Sequence, residues 1–310
     1  MRAGISGAPC LEDVGRDTRR LLRKLSGGGA ENPARRAALA GFYWPAMKGA
    51  AAVLLALAAG VSPVRAGLTD AQMADAERSE AVTVPAPAEF FAAIDKAGKP
   101  DWAVFYRDPV PTTYATRPQA ALNLGALVAD AFVAVEAQDG QQVKNTGKDI
   151  IALARALGVG EDVLGRGKSI SDFADKSDWF ALREELEATT NEVRQAMVAQ
   201  RDKALSSLIT AGAWLRALQV GSRAAELSGE ASCAELLRQP ALVSFLRAEL
   251  QLLPEKARAG SVVAEADEVL SSLAAKMAVP EGQPFGSERV LDISTKTTRI
   301  ITDMSARKQP

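Results

Sequence analysis

The sequence predicts an all-α protein: an irregular multi-helix bundle with an extended Pro/aromatic segment at about 99–118. Three observations carry this. Ala, Leu, Glu, Arg and Gln, all strong helix formers, dominate the chain beyond residue 66. Apolar residues recur there at steps of three and four, the spacing of one helix face. No pair of alternating segments is joined by hairpin residues, and no repeat of fixed period occurs.

The N-terminal third is organised by the stretch MKGAAAVLLALAAGVSPVRAG, which begins at Met47. A basic start at Lys48, an uncharged run from Gly49 to Gly60 and the small-residue site Val64-Arg65-Ala66 have the layout of a secretory signal. We expect a signal peptide over 47–66, cleaved after Ala66. Lys48 and Arg65 are separated by only 16 residues, one of them Pro63. A helix crossing a bilayer needs about 20 apolar residues, so no stable membrane insertion is expected after cleavage. The product is expected to be periplasmic or secreted. Residues 1–46 carry Cys10 and a basic cluster without sustained apolar periodicity. They read as an upstream extension, with translation starting at Met47, or as disordered chain.

Export changes the charge. Removing residues 1–66 takes ten basic and four acidic residues from totals of 37 and 38, and leaves a net charge of −7. Such a surface is repelled by phosphate backbones and anionic lipid, so no nucleic-acid partner is expected. Cys233 is then the only cysteine, which excludes an intrachain disulfide and suits a small buried hydrophobe. The chain has no histidine. Ser-His-Asp and Cys-His schemes and histidine-based metal centres cannot be built; a hard-cation site made of oxygens stays open, but neither a metal site nor a cofactor is expected.

The helices follow in order. Thr69–Ala81 and Ala88–Ala97 read as short helices, the second closed by Gly98. Prolines 100, 109, 111 and 118 forbid a long helix across 99–118, and Trp102, Phe105, Tyr106 and Tyr114 there need burial. Pro118 opens a helix to about Gln138, with Leu124, Leu127, Val128, Ala131, Phe132 and Val135 on one face and Gly125 allowing close approach. Residues 141–157 repeat the pattern, with Gly158 closing the helix. From Ser177 an apolar stripe runs to about Leu227, as one helix or as two that meet near Arg201-Asp202. Pro240 opens another helix that Pro254 stops, and 261–278 forms the next. The bundle domain thus spans 67–278. Residues 279–286, VPEGQPFG, read as a linker, and 287–310 as a C-terminal helix and tail with Ser287 as N-cap.

Candidate sites are few. Gly167-Lys168-Ser169 looks like the end of a phosphate loop, but Asp162 stands where that loop needs glycine, and the run follows a helix rather than a strand. A helix-loop-helix turn capped by Ser169 or Ser171 is the expected structure, with Arg166, Lys168 and Ser169 as a weak anion site. The acidic run 183–195 reads as a solvated face with an Arg183–Glu187 pair one turn apart. Asn123 and Asp130 border an apolar face and must find partners. Arg183, Arg216 and Arg238 are the candidates, as structural partners or together as a pocket for a polar ligand.

The runs ALNLGALVADAFVAVEAQDGQ, LGRGKSI, DWFALREELEATTNEV and LLRQPALVSFL resemble a family of uncharacterised exported bacterial all-helical proteins, over most of residues 100–255. The resemblance implies an exported helical domain and no activity, cofactor or partner. The leading expectation is a non-enzymatic binding or scaffold protein of the cell envelope, taking a protein partner or a small ligand between helices. The alternative is a histidine-free enzyme using Asp, Glu and Arg, with Asp130 as acid or base.

Overall fold

A computed structural model describes residues 86–161, 165–280 and 282–306. The signal-like stretch, the extension before it and the helix expected at Thr69–Ala81 lie outside the described residues. Every regular element among the described residues is helical. In chain order these are α1 (Pro87–Gly98), a 3₁₀ turn (Trp102–Phe105), α2 (Arg117–Glu136), α3 (Gly140–Ala156), α4 (Gly167–Asp175) and α5 (Trp179–Ala199). Then come α6 (Lys203–Ser228), the short α7 (Ala231–Glu235), α8 (Pro240–Gln251), α9 (Glu255–Arg258), α10 (Ser261–Met277) and α11 (Ser287–Ser305).

The bundle is built around the crossing of α2 and α6. Sixteen of the twenty residues of α2 are buried, well beyond the single face expected from its larger side chains. Alanines 120, 121, 126, 129 and 134 supply half of the remainder, and Gln119, Leu122, Asn123, Gly125 and Val133 the other half. The alanines are small enough for neighbours to approach on every side, which is how a helix apolar all round is covered. One 18-residue window of α2 has a mean hydropathy of 1.4, long and apolar enough to cross a membrane, yet 89% of it is buried within the protein. Glycines bring the two central helices together. A Cβ at Gly125 would lie 1.9 Å from the Ile209 carbonyl oxygen, and one at Gly212 would lie 1.9 Å from that of Leu122.

Around this pair the other helices pack by their apolar stripes. α1 lies on α2 and α6, α3 on α2, α4 on α3 and α5, and α5 on α2 and α6. α8 pairs with α10, and α11 packs on α6, α10 and α2. Val290, Ile293, Thr297, Ile300, Ile301 and Met304 bury the face of α11, so this last helix shares the main core. Cys233 is buried and free, and its Sγ lies 2.6 Å from where a Cβ at Gly98 would be.

The long stripe divides into two helices at the expected joint. Arg201 adopts a left-handed backbone (φ 59°), and the Asp202 side chain accepts from Leu205 N as the N-cap of α6. Several local expectations are corrected. The segment 99–118 is interrupted by the 3₁₀ turn, whose Trp102 and Phe105 are buried while Tyr106 and Tyr114 are half-buried. Trp102 packs edge-on between Phe91 and Phe105 and donates to Asp95 Oδ1 at 2.9 Å, and these contacts anchor the strap. α2 starts one residue before Pro118, capped by Thr116 accepting from Gln119 N. The helix of the stripe that begins at Ser177 starts at Trp179, with Asp178 as the N-cap of α5. Gly286, with no side-chain cap, precedes α11, and Ser287 is already its first helical residue. Ser169 lies inside α4 and donates back to the Arg166 carbonyl at 2.8 Å instead of capping it.

Candidate functional site

Asp130 and Arg216 are brought together, and Asn123 lies in the same seam. Arg216 Nε donates to Asp130 Oδ1 at 2.7 Å, Nη1 to Gln219 Oε1 at 2.7 Å and Nη2 to the Phe105 carbonyl. Arg107, in the strap, holds the other Asp130 oxygen with Nε at 3.0 Å and also with Nη2. Its Nη1 donates to Ser305 Oγ at 3.3 Å. Ser305 donates to Asn123 Oδ1 at 3.3 Å, and Asn123 Nδ2 donates to the Met304 carbonyl at 2.7 Å. Gln119 Nε2 donates to Met304 O and Ala306 O. The last carbonyls of α11, which a helix leaves without partners, are therefore met by two amides of α2. The seam ties the strap, α2, α6 and the end of α11 into one network.

Burial acts to raise the Asp130 carboxyl. The guanidiniums of Arg216 and Arg107, with their hydrogen bonds, overcome it and hold the group below its ordinary value. A carboxylate so stabilised neither delivers a proton near neutrality nor accepts one readily, which disfavours Asp130 as a general acid or base. The cleft beside it, lined by Tyr106, Arg107, Gln142, Thr146 and Asp149, holds about 40 Å³. That is room for about one water. Asn123, Asp130 and Arg216 form a structural cluster, and Arg107 is the member that sequence reasoning missed. Its place amid the prolines and aromatics of a strap that must lie across the helix bearing Asp130 was the available signal.

Arg183 and Arg238 lie elsewhere. Arg183 pairs with Glu136, at the far end of α2, instead of with Glu187. Burial raises the Glu136 carboxyl, Arg183 opposes this, and the net direction is upward. Arg238 donates to the carbonyls of Val279 at 2.8 Å and Gln283 at 2.6 Å and pairs with Glu235. Its guanidinium sits 5.8 Å from the Phe285 ring centroid, so it clamps the segment expected to be a linker.

The expected anion site is filled from within. Arg166 donates to Glu185 at 3.0 Å and to Glu192 at 2.7 Å, Ser169 donates to Glu185, and Lys168 pairs with Asp172 at 2.8 Å. Both cations are thus matched by carboxylates, and the acidic face of α5 is partly a docking surface for α4 instead of fully solvated.

A cavity that sequence reasoning did not anticipate lies between α3 and α5. These two helices both rest on α2 without packing closely on each other, and α4 closes one end. The space is about 380 Å³. α3 lines it with Lys144, Gly147, Lys148, Ile150, Ile151 and Ala154, and α5 with Leu186, Thr189, Thr190 and Val193. Leu124, Val128 and Ile209 form the floor, and Gly167, Ile170 and Ser171 the end. The threonine hydroxyls donate to the Glu185 and Leu186 carbonyls of their own helix, both at 2.7 Å, which leaves little polar demand on that wall. Nothing lies within 4 Å of a Cβ placed on Gly147, so this glycine opens onto free space. Volume and apolar walls are those of a small-molecule site. No family model, no curated protein and no solved structure matches the chain.

Proposed function

We propose that the chain is a non-enzymatic binding protein of a bacterial cell envelope that holds a small apolar ligand between α3 and α5. One observation carries the reading: a cavity of about 380 Å³ with predominantly apolar walls inside an otherwise close-packed bundle. Close-packed interiors leave few voids larger than a water, so a space of this size is a feature of the fold to be explained. Export, with cleavage after Ala66 and a periplasmic or secreted product, is proposed on the signal-like stretch and on the resemblance to exported helical proteins.

The test is titration of an environment-sensitive apolar fluorophore into the full chain. The reading expects saturable enhancement at one site per chain. A linear, non-saturating response would overturn it. N-terminal sequencing of native material tests the export proposal: the expected first residue is Gly67, and recovery of Met1 would overturn it.

A further inference from the structure

We infer that the ligand is a single-chain amphiphile with an anionic head, whose tail fills the cavity and whose head is met at the rim by Lys148. This rests on the pocket reading above and adds the chemical class.

Charge at the rim is the first argument. The exported chain is acidic overall, yet no Asp or Glu lines this cavity, and the ionised side chains that do are Lys144 and Lys148. They stand one turn apart on α3, so both reach the same edge of the opening. Lys144 is engaged by Asp175 at 2.7 Å. Lys148 is exposed and feels the carboxylate of the adjacent Asp149, but its ammonium is held in no salt bridge such as the one that engages Lys144. Gln141 and Ser171 add uncharged hydrogen-bonding groups to the lining.

Shape is the second. From Lys144 at the rim the lining positions of α3 continue to Ala154, with Gln141 about one turn before it. Ten helical steps cover about 15 Å, the length of an extended chain of about a dozen carbons. The polar groups gather toward the Lys144 end, while Ile151, Ala154 and Val193 line the wall beyond it. A polar head with one apolar tail matches this division. A two-chain lipid needs about twice the tail volume and exceeds the space, which lies within the ordinary range for one small ligand.

Dodecanoate and dodecanol, titrated against the full chain at low salt and below self-association, separate head from tail. The acid is expected to bind about fivefold tighter than the alcohol. Lys148→Gln should bring the two within about 1.5-fold, and Lys148→Glu should favour dodecylammonium over dodecanoate. A reversal of that kind cannot come from a damaged fold. Shortening the tail from dodecanoate to decanoate should weaken binding about fourfold per methylene. Equal affinity for acid and alcohol would overturn the head-group inference and leave the pocket reading intact, whereas binding of neither would overturn both. Co-sedimentation with anionic phospholipid vesicles at the same Lys148-dependent site would assign the head group to a lipid surface and overturn the single-chain ligand.

Discussion

Arg216 Nε lies 2.7 Å from Asp130 Oδ1 across the crossing of α2 and α6, with only 4% and 14% of the two side chains exposed. Removing Asp130 leaves the buried Arg216 guanidinium without a counter-charge. Asp130→Ala is expected to cost about 3–5 kcal/mol, whereas Arg107→Ala, at the more open side of the same carboxylate, should cost less. Urea denaturation of the two variants checks both the size and the order. A cost below 1 kcal/mol for Asp130→Ala would mean that the seam does not hold the bundle.

The same pair sets part of the acid response. Asp130 in the folded chain is held below its ordinary value, so its contribution is present above the unfolded pKa of about 3.9 and is lost as pH falls through the folded value. Glu136 is raised by burial against the pull of Arg183. Its contribution is therefore present below the unfolded pKa of about 4.3 and is lost as pH rises through the folded value. Asp130→Asn should flatten the stability curve below about pH 4, and Glu136→Gln should steepen its rise just above about pH 4.3. Thermal unfolding between pH 2 and 7 reads both slopes.

At the closest approach of the two central helices, alanine is expected to be harmful although it is the better helix former. Replacing glycine by alanine gains about 1 kcal/mol of helix propensity. At Gly125 the added carbon meets the backbone oxygen of Ile209, and at Gly212 that of Leu122, neither of which can rotate away. Separating the helices should cost more than the gain, for a net loss of about 2 kcal/mol in either variant. Gly147→Ala, with open space around the new carbon, is the matched control and should stabilise.

Arg238 should govern the order of the connection between α10 and α11. Its donors meet the carbonyls of Val279 and Gln283, and the guanidinium covers Phe285. Arg238→Ala is expected to cost about 1–3 kcal/mol and to speed protease cleavage within 279–286 without unfolding the bundle. Limited proteolysis followed by mass analysis locates the cut.

Much of the helical framework was legible because apolar spacing and capping residues agreed. The joint at Arg201-Asp202 is an example, since Asp202 caps the next helix where the stripe allows a break. Gly125 was legible as a contact point, while its counterpart Gly212 was hidden within a long apolar run. Asp130 was legible as a group in need of a partner, with Arg216 one of three candidate arginines. Arg183 and Arg238 look alike in sequence but are drawn to nearer carboxylates, Glu136 on α2 and Glu235 three residues earlier in the chain. The cavity was illegible for a physical reason. Leu124, Val128, Leu186 and Ile209 are the residues any core uses, and periodicity reports which face is apolar but not whether two such faces meet. The gap between α3 and α5 is a property of how both rest on α2, and only Gly147, on the open side of α3, hints at it.

The most direct measurement compares apolar-probe binding and thermal stability for the parent chain and Gly147→Phe. The new side chain would project into the free space of the cavity without striking a neighbour at its Cβ. A site between α3 and α5 requires that Gly147→Phe keep or raise the melting temperature and lose saturable binding. Retained binding at parental affinity, in a variant that melts as the parent does, would contradict it.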